Sequence, residues 1–203
     1  MAKAHGPATA KGRAMRERIL QAAAELIAEK GSAGMSLDDV RARTGASRSQ
    51  LYHYFEDRDD LVRAVIDVTT DAVIDVHGEL LEHLDSWAGI ERWFDALVEL
   101  QAERQARGGC PIGSLAGQLA EQDPQARAAI AAGLDRWEAH LRDGLTRMKA
   151  RGRLRAHADP AELAAATMAS IQGGLLLTQV RRDPQQLRTA LNAARTNLRH
   201  AAA

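Results

Sequence analysis

The chain has 203 residues, 45% of them apolar, enough to bury the core of a small module plus a larger domain. Its 27 basic and 27 acidic residues cancel, so overall charge is silent about a polyanionic partner, and a single cysteine, Cys110, excludes an intramolecular disulfide framework. No 18-residue apolar run or signal peptide is read in it, so the expected protein is cytoplasmic with no membrane partner.

Runs of alternating β-branched residues are absent, and the expected fold class is all-α. Residues 1–14 carry Lys3, Lys11 and Arg13 among small residues. They are expected to form a flexible basic arm, serving either solubility or extra phosphate and minor-groove contacts. Residues 15–30 place Ile19, Leu20, Ala23, Leu26 and Ile27 at helical spacing, and Gly31 ends that helix.

Ser36 is a good N-cap for the next helix, with Asp38 and Asp39 in the first turn, where the helix dipole favours negative charge. That helix stops at Thr44-Gly45, and Gly45 can adopt the left-handed conformation that opens a tight turn. Ser47 then caps a further helix. On a wheel of about 100° per residue, Leu51 and Phe55 face inward while Ser49, Tyr52 and His53 face out, flanked by Arg48 and Gln50. Two short helices joined by a glycine turn form a helix-turn-helix layout. The outward residue types suit DNA: Arg to guanine, Gln to adenine, Ser to either, and Tyr or His to phosphate oxygens.

Glycines and prolines divide the remainder. Helices are predicted from about 58 to 84, 90 to 107, 114 to 121, 125 to 150, 160 to 180 and 184 to 200, nine in all. The helix at 161–180 is apolar nearly all round, and the last offers Leu187, Ala190, Leu191, Ala194 and Leu198 as a second stripe. Either both faces are used up within the subunit, or the last two helices pair with a second copy, because soluble monomers rarely expose a large apolar patch. A homodimer through these helices is the expectation.

Charge is not evenly spread. Residues 1–55 carry a net +4, residues 56–99 a net −10 and residues 100–203 a net +6. A basic head followed by an acidic segment orients a molecule on a polyanion.

The A-A-E-L-I pattern with its glycine at 23–31, S-L-D-D-V at 36–40, T-G-A-S at 44–47, L-Y-H-Y-F at 51–55 and R-D-D-L at 58–61 together resemble the TetR family of bacterial transcriptional regulators. The family commonly has Lys where this chain has Arg58. The resemblance implies that Ser47, Arg48, Ser49 and Gln50 address bases. It also implies that Tyr52 and His53 touch backbone or adjacent bases, and that Ser36 and Arg58 contact phosphate. It further implies a DNA-binding domain at 15–57, a ligand-binding and dimerisation domain at 58–203, and a homodimer on double-stranded operator DNA released by a small-molecule effector. Residues 108–123 are similar to the corresponding region of a drug- and flavonoid-responsive branch.

Candidate pocket residues are Trp93, Phe94, Trp137, His140 and Gln172, with Trp87, Met148 and Met168 beside them. Each apolar one is also readable as ordinary core. Gln172, an amide in an apolar helix, needs a partner, either a neighbouring helix or a ligand. Asp67, Asp71, Asp75 and Glu79 recur every four residues as a solvated face or an attractor of cations. Cys110 lacks an adjacent base that would activate its thiol.

The seven histidines form no compact metal motif, and nothing resembles a nucleophile with its base or a phosphate-cradling loop. No enzyme, metal or cofactor is expected. A helical small-molecule carrier or an enzyme would be the alternative, and both leave the 47–53 face unexplained.

Overall fold

The computed structural model describes residues 9–203, which form ten helices and no strand. They are α1 (Ala10–Lys30), α2 (Leu37–Thr44), α3 (Arg48–Tyr54), α4 (Arg58–Val76), α5 (Gly78–Glu82), α6 (Trp87–Glu103), α7 (Pro111–Leu119), α8 (Pro124–Ala150), α9 (Pro160–Arg181) and α10 (Gln185–His200). The all-α class read from the sequence is the observed one.

Most boundaries lie within four residues of those expected, α6 and α7 each beginning three residues earlier, and two differences have a clear local cause. Residues 10–14, expected in the arm, are the first turn of α1, capped by the Thr9 hydroxyl accepting from the Gly12 N–H at 3.1 Å. Alanines and basic residues there favour helix. The rest of the expected arm, residues 1–8, lies outside the described residues. The helix predicted over 58–84 breaks at His77, whose ψ is near 0, and resumes as the short α5. Gly78 weakens the helix there, and the His77 side chain turns inward to stack on Trp137.

The described residues form two compact units. The first runs to Asp71 and takes in residues 115–131, and the second holds 72–114 and 132–203. In the first, Ile19, Leu20, Ala23, Leu26 and Ile27 of α1 are all buried, together with Val40, Leu51, Phe55, Leu61 and Val65. The stripe read at helical spacing is therefore the core face. In the second, Trp93, Phe94, Trp137, Leu141, Leu145 and Met148 are all buried.

The last helices need a correction. Leu187, Leu191, Ala194 and Leu198 of α10 are all buried within the chain. That stripe covers its own α9 and is not open to a partner. The opposite side of α9 keeps Leu176, Leu177 and Val180 exposed. α9 is also long and apolar enough to cross a membrane, so the absence of such a run does not hold; 44% of its most apolar stretch is buried inside the fold.

Candidate functional site

The helix-turn-helix is built by local chemistry. The Ser36 hydroxyl accepts from the Asp39 N–H at 3.1 Å, and Asp39 Oδ2 accepts from the Ser36 N–H at 3.1 Å, a reciprocal capping box. The Ser36 hydroxyl also donates to Asp39 at 2.7 Å, and Lys30 Nζ lies 3.0 Å from its other oxygen. These bonds, that from the Ser36 hydroxyl above all, hold the Asp39 carboxyl at about 2, below its ordinary 3.8. α2 ends on Gly45 at φ +70, and its N–H bonds Arg41 O at 2.9 Å. A left-handed cap there is most easily met by glycine.

A second capping box opens α3. The Gln50 N–H donates to Ser47 Oγ at 3.1 Å, and the Ser47 N–H donates to Gln50 Oε1 at 2.9 Å. Leu51 and Phe55 are buried, whereas Ser47, Arg48, Ser49, Gln50, Tyr52 and His53 are exposed. The Arg48 guanidinium lies 5.6 Å from the Tyr52 ring centroid. The outward face therefore presents one cation, two hydroxyl-bearing serines, a phenol, an imidazole and the free amide nitrogen of Gln50. Gln50 Oε1 already accepts one bond in the cap, so a two-point contact with adenine would have to use its second lone pair.

Ser36 and Arg58 sit differently from the other expected contacts. Both donors of Ser36 are engaged with Asp39. Arg58 Nε donates to Met35 O at 3.1 Å, another guanidinium nitrogen donates to Ser32 O, and the third bonds Asp59 at 3.2 Å. In this conformation Arg58 is directed at its own backbone. Its partners lie 23 and 26 positions away, beyond what local spacing can reveal.

The second unit has an aromatic interior. Trp93 and Trp137 meet edge to face at 6.4 Å, Trp93 and Phe94 lie tilted by 41° at 5.6 Å, and His77 stacks on Trp137 at 6.3 Å with an interplanar angle of 3°. His140 is half-buried, and so is Gln172. Four buried polar atoms in this unit lack a hydrogen-bond partner: Trp93 Nε1, Trp137 Nε1, Gln101 Oε1 and Gln172 Nε2. Such groups are costly unless satisfied. The expected pocket residues thus fall into an aromatic cluster of Trp93, Phe94 and Trp137, and an amide, Gln172, whose buried nitrogen is left unpartnered. Burial pushes the Cys110 thiol above its ordinary value, consistent with packing rather than reactivity.

Two members of this interior, His77 and Gln101, were not singled out from sequence. Gln101 shares the apolar stripe of Trp93 and Leu97 on α6, and that misplaced polarity was the available signal. Burial, followed by the nearby charge of Arg104, pushes the His77 imidazole below its ordinary 6.5. The unfolded chain then takes up a proton that the folded one refuses. Stability from this site is complete above the unfolded value and is lost as pH falls below it. Denaturant midpoints are expected to decline on going from about pH 7.5 to about pH 5.5, and His77→Gln should flatten that decline. An undiminished decline in the variant would place the titration elsewhere.

A capped helix-turn-helix with a polar outward face, followed by a helical region with an aromatic interior, defines a helix-turn-helix regulator. Residues 19–65 match the family described as bacterial regulatory proteins, tetR family, and residues 75–194 match the tetracyclin repressor-like C-terminal domain. The chain belongs to the TetR family, a family of DNA-binding transcriptional regulators rather than enzymes. It is 31% identical over 182 residues to an HTH-type transcriptional regulator of Mycobacterium tuberculosis, covering 83% of this chain and 86% of that one. An HTH-type transcriptional repressor of the same organism is 32% identical over 124 residues, 61% of each chain. Among solved structures, a TetR transcriptional regulator from Chloroflexus aurantiacus superimposes with a TM-score of 0.80 at 27% identity, covering 96% of this chain and 98% of that one.

Proposed function

We propose that this chain is a ligand-responsive repressor, binding a palindromic operator as a homodimer and leaving it when a small, mostly apolar molecule binds. The observation that carries the DNA reading is the sidedness of α3: Leu51 and Phe55 are buried while Arg48, Ser49, Gln50, Tyr52 and His53 are exposed. Arg48, Ser49 and the amide nitrogen of Gln50 read bases, Tyr52 and His53 steady the helix on the backbone, and the Ser47 hydroxyl supports either contact. Ser36 reaches phosphate only by giving up internal bonds, and Arg58 has three of its five N–H groups engaged within the head, so both serve first to hold it in shape. The repressor assignment draws on the name of one relative.

The homodimer reading is supported by Leu176, Leu177 and Val180, an exposed apolar face on a helix whose other side packs in the core. A twofold pair presents two reading helices to successive half-sites. Ligand response is supported by the unpartnered indole and amide groups of Trp93, Trp137, Gln101 and Gln172. They suit an aromatic molecule with one or two hydrogen-bonding groups.

Selection of bound duplexes from a random pool tests the DNA reading: a palindromic consensus is expected, and recovery of unselected sequence would overturn it. For the ligand, an aromatic compound that quenches tryptophan fluorescence should also weaken operator binding. By reciprocity, operator DNA should weaken that compound's binding by the same factor. Quenching compounds that all leave operator affinity unchanged would remove the sensing role and leave DNA binding intact.

A further inference from the structure

The turn between α1 and α2 is closed by side chains remote in sequence. Within it, the Gly34 N–H bonds Gly31 O at 3.2 Å and the Met35 N–H bonds Ser32 O at 3.3 Å. Those bonds leave the Ser32 N–H unused, although Ser32 is only 5% exposed. Gln118 of α7 meets it: its Oε1 accepts from the Ser32 N–H at 3.0 Å, across 86 positions of sequence. Arg58 takes the carbonyl side of the same turn, with Nε on Met35 O at 3.1 Å and a second nitrogen on Ser32 O. Arg63 of α4 bonds Gln125 Oε1 at 2.7 Å, a further tie between α4 and residues 115–131 inside the first unit.

We infer that Gln118 is a positioning residue for DNA reading, clasping the 32–35 turn jointly with Arg58 so that α2 and α3 leave α1 in one fixed direction. The inference rests on the DNA-binding function proposed above. Ser32 lies four residues before Ser36, the N-cap of α2, so the path of the turn sets the direction of that helix. The Gly45 turn is fixed by its own cap, so α3 inherits any error at Ser32. The reading head is therefore not self-contained within residues 15–57. A buried amide that loses its acceptor does not stay in place; it turns to find water.

The test uses the full chain, the duplex obtained by selection, and amide exchange at Ser32 followed by NMR. Gln118→Leu and Gln118→Met remove the acceptor and keep the bulk, while Gln118→Glu keeps an acceptor. The first two should lose about tenfold in affinity for the selected duplex and exchange Ser32 about tenfold faster, the scale of one hydrogen bond. Affinity for an unselected duplex should hold within about twofold, since phosphate attraction is unaltered. Gln118→Glu should match the unaltered chain in both readouts.

Unchanged Ser32 exchange and unchanged selected-duplex affinity in the Leu and Met variants would overturn the inference. Equal losses in all three variants would also do so, by assigning the effect to packing. If the unaltered chain selects no duplex, the DNA-binding proposal fails on its own, and faster Ser32 exchange would then still establish the clasp.

Discussion

Arg48→Ala combined with Gln50→Glu is expected to abolish selective duplex binding while leaving the fold intact. Both side chains are exposed on α3, and neither belongs to the buried set of Leu51 and Phe55. The choice of Glu at position 50 follows from the capping box. Gln50 Oε1 accepts from the Ser47 N–H, so a carboxylate preserves the capping box, whereas alanine would remove that bond as well. What the carboxylate removes is the amide nitrogen, and it sets a negative charge against the duplex. Removing a two-point hydrogen-bonded pairing with a base should cost about 1–3 kcal/mol, so the double variant should fall from selective binding to the affinity shown for any sequence.

Arg58→Ala offers the contrast. Its guanidinium bonds Met35 and Ser32 carbonyls, so the expected loss is in thermal stability and in selective binding together. Gel-shift titrations with the selected and an unselected duplex, alongside thermal melts, separate these cases. A double variant that still prefers the selected duplex would move the reading surface off α3.

What was legible in the sequence is what short-range chemistry determines. Ser36, Asp39, Gly45, Ser47 and Gln50 lie within one helical turn of their partners, so both caps and the turn between them follow from residue type and spacing. The inward positions Leu51 and Phe55 follow from periodicity alone. Long-range closure was not legible. Nothing local distinguishes an Arg58 that reaches phosphate from one that reaches carbonyls 23 and 26 positions back, and nothing near Gln118 names Ser32 as its partner. The break at His77 is similar, because a histidine followed by glycine is tolerated in many helices, and stacking on Trp137 decides the matter. The pocket candidates were legible as apolar residues, but which of them would be left with unpartnered nitrogens depends on packing across α6, α8 and α9.

Helix periodicity also cannot say which neighbour an apolar stripe will cover, and the last two helices make this testable. Leu191 and Leu198 are 2% and 1% exposed, whereas Leu176, Leu177 and Val180 are 60%, 42% and 71% exposed. A charge at Leu191 would be buried inside the subunit without a partner, a change that costs several kcal/mol, and Leu191→Asp is expected to unfold the chain. A charge at Leu176 or Val180 is harmless to the subunit and harmful only to an interface built on that face. Leu176→Asp with Val180→Asp should therefore sediment as a monomer that still melts cooperatively.

The same variant should bind the selected palindrome far more weakly, because two linked heads gain about 10²–10⁴ in avidity over one. It should retain ordinary affinity for a single half-site. Sedimentation as an undiminished dimer would place the interface on another surface. A monomer that binds the palindrome as tightly as the unaltered chain would show that pairing through α9 has no part in operator recognition.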